Sequence, residues 1–191
     1  MFVAVLDTCV LWPSLQRDVL LSLAAENLYR PLWSNAILDE LELHEARKLV
    51  DRGADPDDAA TRAAHLVAHM AAAFDDACVT GWEMLDGSFN LPDPDDEHLV
   101  AAAVIGGAEA IVSDNIADLP RRKVPAQIQV IKPAAFVADT VATSPDAAVR
   151  ALRTMIDRRT NPPETLEHVL QVLERRYGMV DAVEMIRTAA N

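Results

Sequence analysis

The chain is poor in the residues that announce the commonest special classes of protein. Only two cysteines, Cys9 and Cys78, occur in 191 residues, and neither stands in a metal-ligand or disulfide-framework spacing. Both therefore read as small buried thiols. No apolar run reaches the roughly 18 residues that a membrane helix needs, so no membrane contact is expected. The opening run Met1–Leu6 lacks the basic start and small-residue cleavage site of an export signal, and Asp7 interrupts it early. A cytoplasmic protein is expected. Basic residues are also scarce: 17 Lys and Arg stand against 30 Asp and Glu, a formal net charge of −13. Such a field repels nucleic acid at long range, which excludes a sequence reader that works through a basic face. It leaves room for a nuclease, because divalent cations can bridge clustered carboxylates to phosphate.

What is present is a strand and helix alternation. Phe2–Leu6 is short and uniformly apolar, as in a central parallel strand covered on both faces. Ser14 is a plausible cap for a helix to about Asn27. Arg30–Trp33 reads as a short extended piece, and Ser34 as the cap of a helix from Asn35 to about Val50. Residues 51 to 58 read as a linker, followed by an Ala-rich helix to about Phe74. Ala77–Thr80, Ala110–Ser113 and Ile128–Ile131 read as further strands, and Asp95–Gly106 as a helix. This order argues for a three-layer α/β/α domain with a central parallel sheet over residues 1–138. After Ala138 the strand signals stop. Three short helices, about 145–158, 164–176 and 179–188, are expected to form a helical C-terminal appendage over 139–191. Leu15, Leu23 and Ile37, on the first two long helices, are expected to offer an apolar docking groove.

The informative pattern is where the acids fall. In open parallel sheets, sites form at the carboxyl ends of the strands. Asp7 ends the first strand, where an uncompensated carboxylate is costly and a hard cation such as Mg²⁺ is a natural compensator. Asp93-Pro94-Asp95-Asp96-Glu97-His98 precedes an apolar helix. Capping explains one or two of these acids but not four. Asp95 is the better cap candidate. Asp96 shares the face of Leu99 and Val100 and should point inward. Asp114 or Asn115 lies just beyond the strand Ala110–Val112, with Asp118 a turn further on. Glu40 shares a face with Ile37 and Leu41, an awkward place for a solvated charge. His65 and His69 are four apart on one helix, but no third ligand accompanies them. His98, beside the acid cluster, is a modest candidate.

Read together, these segments resemble a known family. Asp7-Thr8-Cys9-Val10-Leu11-Trp12-Pro13, Trp33 to Leu41, Asp93 to Ala103 and Ile111 to Pro120 resemble, in order, the four motifs of PIN-domain proteins. The helical tail is similar to the C-terminal extension of one branch of VapC-type toxins. The resemblance implies a PIN-like fold and a Mg²⁺- or Mn²⁺-dependent endoribonuclease. It implies the toxin of a type II toxin–antitoxin pair, with RNA as substrate and an antitoxin protein as partner, and a homodimer as a further expected assembly. It implies Asp7, Glu40, Asp96 and Asp118 as the metal-site acids, with Asp114 competing with Asp118 for the fourth place. It further implies that Asn115 helps fix the site, that Thr8 orients a carboxylate or a water, and that Arg17 contacts substrate phosphate. Arg121-Arg122-Lys123 is a short basic run beyond the fourth motif that could hold an RNA backbone. Two rival readings are weighed against this one. A haloacid-dehalogenase-like phosphatase needs a second Asp two residues after the first, where this chain has Cys9. A catalytically silent PIN-like module would bind RNA or protein without cleaving.

Overall fold

The computed structural model describes residues 1–159 and 162–191. Five parallel strands form one sheet in the order β3-β2-β1-β4-β5: β1 (Val3–Leu6), β2 (Arg30–Ser34), β3 (Cys78–Val79), β4 (Ala110–Val112) and β5 (Gln129–Ile131). β1 sits in the middle, with Ala4 opposite both Pro31 and Ala110. Its residues Ala4, Val5 and Leu6 are completely buried, as a strand covered on both faces must be. The strand order reverses at β1, whose neighbours are β2 and β4. Diverging connections leave a crevice at the carboxyl ends there, where Asp7 and Ser113 emerge.

The helices are α1 (Thr8–Leu11), α2 (Ser14–Ala25), α3 (Asn35–Asp51), α4 (Pro56–Ala73), α5 (Glu97–Ile105), α6 (Pro133–Thr143), α7 (Pro145–Asp157), α8 (Leu166–Tyr177) and α9 (Val180–Ala190). Ser34 caps α3 by accepting from the Ile37 amide at 3.2 Å, as its position before the helix suggests. Several expectations are corrected. Ser14 is the first residue of α2 and not its cap; its hydroxyl accepts from Lys48. Asp93, not Asp95, caps the turn before α5, taking the Asp95 amide at 3.0 Å with Pro94 at the first turn position. That turn is a short 3-10 helix over Pro94–Asp96, and α5 proper starts at Glu97. Cys78 is exposed on the edge strand β3, and Cys9 is only partly covered. Leu23 and Ile37 are fully buried in the core, so they form no docking groove.

The expected C-terminal helices follow the sheet and pack closely on the rest of the chain. The expected boundary between 138 and 139 falls inside α6, one continuous helix that starts at Pro133. Its buried side carries Phe136, Val137, Thr140 and Val141. α7 packs on α2, and α9 packs on both α6 and α7. Leu152, Val169, Leu170, Val183 and Ile186 belong to the same continuous apolar core as Val5 and Ile111. Arg159, just beyond α7, ties this region back to α2 through Asp18 at 2.5 Å and also pairs with Glu164 at 2.6 Å.

Gly106 shows how tightly α5 meets the sheet. Its backbone is ordinary helix, at φ −75° and ψ −7°, but a Cβ there would lie 2.6 Å from Leu32 Cδ1 and 2.8 Å from Val79 Cγ2. Overfilling a packed core costs about 1–3 kcal/mol. Gly106→Ala is therefore expected to lower the melting temperature by roughly 2–4 °C per kcal/mol lost. Calorimetry checks this, and an unchanged or raised melting temperature would show that β2 and β3 yield freely.

Candidate functional site

The site is built around Asp7. β1 delivers its carboxylate to the sheet edge, and the same carboxylate caps α1 by accepting from the Cys9 amide at 3.3 Å. With only 7% of its surface exposed, Asp7 needs further partners. The Ser113 hydroxyl, at the end of β4 and fully buried, donates to Oδ2 at 2.5 Å, and the Cys9 thiol donates to the same oxygen at 3.0 Å. Burial, and then the charge of Asp7, push the Cys9 thiol up to about 12, so it serves as a neutral donor and not as a thiolate.

Three other segments converge on this carboxylate. α3 begins directly after β2 and brings Glu40, whose Oε2 accepts from the Thr8 hydroxyl at 2.8 Å. Glu40 is half-exposed, its side chain at 44%, and so avoids the burial that its position beside Ile37 and Leu41 suggests. His98 Nε2 lies 3.7 Å from Glu40 Oε1, against the Trp82 ring, while its buried Nδ1 has no partner among the described residues. Asp96 enters from the turn before α5, and Asn115 Nδ2 donates to its Oδ2 at 3.2 Å. Asn115 is itself anchored, its amide donating to Ser113 Oγ at 2.9 Å. Asp7, Thr8, Cys9, Trp12, Glu40, His44, Asp96 and Asn115 line one open pocket of about 400 Å³.

Both contenders for a fourth acid lie near the cluster and neither lines the pocket: the charge of Asp118 bears on Asp96, and the Asp114 amide donates to Cys9 Sγ at 3.2 Å. Asp114 is exposed and lines a separate hollow with Lys132, Arg176 and Tyr177. Burial, its largest influence, raises the Asp114 carboxyl, Lys132 pulls it back down, and the charge of Asp7 adds to the rise. Arg17 is not brought to the pocket. It is buried, donates NH1 to the Leu11 carbonyl at 3.0 Å and faces Glu45 at 3.6 Å, because a guanidinium in the first turn of α2 reaches back to satisfy the end of α1. Arg121 is likewise committed to the carbonyls of Ile128 and Ala126, and Lys123 to that of Asn90. His65 and His69 stack on the exposed face of α4, away from the pocket.

Two supporting residues escaped the sequence reading. Ser113 carried no signal beyond its place at a strand end beside the acids. Glu97 is buried and accepts from the Phe89 and Leu91 amides at 2.8 and 2.6 Å, which fastens the loop that precedes the Asp93–Asp96 turn. A lone Glu inside an acid run gives no hint that two backbone donors lie eight and six residues upstream.

The donor set is all oxygen, which suits a hard divalent cation. Asp96 supplies a second observation. Burial, and then the charges of Asp7, Asp93, Asp118 and Glu40, push its carboxyl from 3.8 up to about 6. The pocket thus holds more negative charge than its own groups neutralise. Among the described residues, no three acidic, histidine or cysteine side chains close into one coordination shell.

Comparison with known proteins gives two findings. The family profile described as PIN domain matches residues 3–117, and that described as VapC50 C-terminal domain matches residues 133–188. No curated protein and no solved structure matches the chain.

The raised Asp96 carboxyl sets a pH dependence. A folded-state value above the unfolded one means that the protonated group favours folding below about pH 4. That stabilisation is lost as the pH rises through about 6. Asp96→Asn, which keeps an oxygen for Asn115, is expected to stabilise the cation-free protein above pH 6. Because Asp96 is half-exposed, solvent screening reduces the gain to about 1 kcal/mol, or roughly 2–4 °C. Below about pH 4 the two proteins should melt together. Thermal melts in chelator across this range check it; a variant that melts lower at pH 7 would contradict the crowding of charge.

Proposed function

The chain belongs to the PIN-domain family, and from that premise we propose that it is a divalent-metal-dependent endoribonuclease, the toxin of a type II toxin–antitoxin pair. The observation that carries the reading is the convergence of Asp7, Glu40 and Asp96, from three separate segments, on one open pocket. The match of residues 133–188 to the VapC50 C-terminal domain supports the toxin branch. It also supports dividing the chain at Pro133, where α6 begins, and not at 138.

In this reading Asp7 and Asp96 hold Mg²⁺ or Mn²⁺, and Glu40 and Asp118 complete the acidic pocket. The cation supplies Lewis acidity, making a water more acidic and offsetting charge on the phosphate. The remaining work belongs to the chain. Ser113 and the Cys9 thiol fix Asp7 Oδ2 and the Cys9 amide holds Oδ1, so the carboxylate is oriented before any ligand arrives. Thr8 turns Glu40 toward the pocket, and Asn115 does the same for Asp96. Glu40, its side chain 44% exposed, would take the proton of the attacking water as the water oxygen bonds to phosphorus and the P–O bond to the leaving oxygen breaks, that oxygen taking a proton from solvent. The phosphatase alternative is disfavoured, since Cys9 stands where its acid/base would be and is held as a donor to Asp7. An antitoxin that inserts an Arg or Lys among the carboxylates would silence the site by pairing with them.

Asp7→Asn and Asp96→Asn are expected to lower Mn²⁺-dependent cleavage of single-stranded RNA by more than the roughly 10–100-fold that loss of a supporting partner costs. Ser113→Ala should fall within that range. A fluorogenic RNA assay with and without chelator reads both effects. Full activity of Asp7→Asn, or cleavage indifferent to chelator, would overturn the enzyme reading. A preparation that binds RNA but never cleaves it would leave the silent-module alternative standing. Expression of the wild type, but not of Asp7→Asn, should arrest growth. Co-expression of a small DNA-binding protein encoded beside this one should restore it.

A further inference from the structure

Cations are few in this chain, and most are spent. Arg17, Arg30, Lys48, Arg62, Arg150, Arg159 and Arg187 each pair with a carboxylate. Arg121 and Lys123 hold backbone carbonyls. Against that background one surface stands out. Next to the acidic pocket, and sharing Trp12 with it, lies a second hollow of about 440 Å³. Arg52, Arg176, Trp12 and Tyr177 are among the residues that line it. Arg176 and Tyr177 continue into a third hollow of about 270 Å³, where Lys132 stands. Arg52 and Arg176 are exposed, and among the described residues neither side chain has a hydrogen-bond or carboxylate partner.

The aromatic rings in this hollow already carry cations. The Arg176 guanidinium lies 5.5 Å from the Tyr177 ring centroid, and Lys48 Nζ lies 5.7 Å from that of Trp12. Trp12 is the most exposed tryptophan, at 42%, an unfavourable place for a large ring unless it meets something. The two carboxylates that border the hollows are compensated: Glu164 pairs with Arg159, and Asp114 faces Lys132. Arg52 and Arg176 stand at the ends of α3 and α8, where the helix dipole favours cations. The dipole accounts for their presence. It does not account for α1, α3 and α8 delivering two aromatic rings and two free guanidinium groups to one hollow beside the acids.

We propose that this run of hollows, from Trp12 to Tyr177, is the path of single-stranded RNA leaving the acidic pocket, with the C-terminal helix α8 forming one wall. Arg52 and Arg176 take backbone phosphates, and Trp12 and Tyr177 offer faces on which bases stack, a combination that binds single strands without reading their sequence. The C-terminal helices thereby become part of the substrate platform. The inference rests on the ribonuclease reading above.

The test is fluorescence anisotropy with a short labelled single-stranded polyuridine RNA, in chelator, on the full chain. Arg52→Glu/Arg176→Glu is expected to bind about 10–100-fold more weakly, with a salt dependence shallower by about 0.7 for each phosphate that is no longer held. Tyr177→Ala should lose roughly 5–100-fold, and Tyr177→Phe should restore the affinity. Arg62→Glu/Arg150→Glu, the same charge change on α4 and α7 outside the hollows, should bind as the wild type does, and thermal melts verify that every variant is folded. Equal weakening by this control pair and by the groove pair would reduce the effect to bulk charge and overturn the proposal. So would wild-type affinity in the groove variants of a chain that still cleaves RNA, or selective loss of an acidic protein ligand with RNA binding intact. A wild type that neither binds nor cleaves RNA would instead bring down the ribonuclease reading beneath it.

Discussion

Mutual repulsion among carboxylates at the carboxyl edge of a parallel sheet is the constraint around which this molecule is arranged. Asp7 is almost wholly removed from water, and Asp96 is pushed up to about 6 by its burial and its acidic neighbours. Such a cluster loosens unless each carboxylate is held by something that does not depend on a counter-ion. Here the holders are neutral donors: Ser113 and Cys9 on Asp7, Thr8 on Glu40, Asn115 on Asp96. A neutral hydroxyl or amide fixes an oxygen without cancelling its charge, so the pocket stays oriented and stays negative. Lysines or arginines in those positions would have relieved the repulsion by neutralising the pocket.

The same logic explains which parts of the site were legible in the sequence. Asp7 could be read because an apolar strand that ends in a carboxylate is a visible break in pattern. Asp96 could be read because capping accounts for fewer acids than the Asp93–Glu97 run contains. The contest between Asp114 and Asp118 could not be settled, since both lie just past a strand and only the path of the turn separates them. Arg17 misled for a similar reason. A basic residue near the first motif reads as a substrate contact, whereas the short helix α1, whose carbonyls need donors, was invisible in four residues. Ser113 and Glu97 act through backbone geometry that no spacing rule encodes.

For the fold, elements with a strong period were legible and those defined by their neighbours were not. The buried strands and Ser34-capped α3 follow from local pattern. α6 was overlooked although Pro133 and the spacing of Phe136, Val137, Thr140 and Val141 mark a helix. It links the expected C-terminal helices to the core: α6 leads off the sheet, α7 lies on α2, and α9 packs against α6 and α7.

That shared core has a consequence for how the protein comes into being. α2 spans Ser14–Ala25, while its covering helix α7 spans Pro145–Asp157, and α9, which packs on α7, follows later still. During synthesis the side of α2 that α7 covers stays bare while more than a hundred residues follow it. Asp7, Glu40, Asp96 and Asp118 all precede α7 in the chain, so the side of α2 that α7 covers is closed only after the acidic residues have been made.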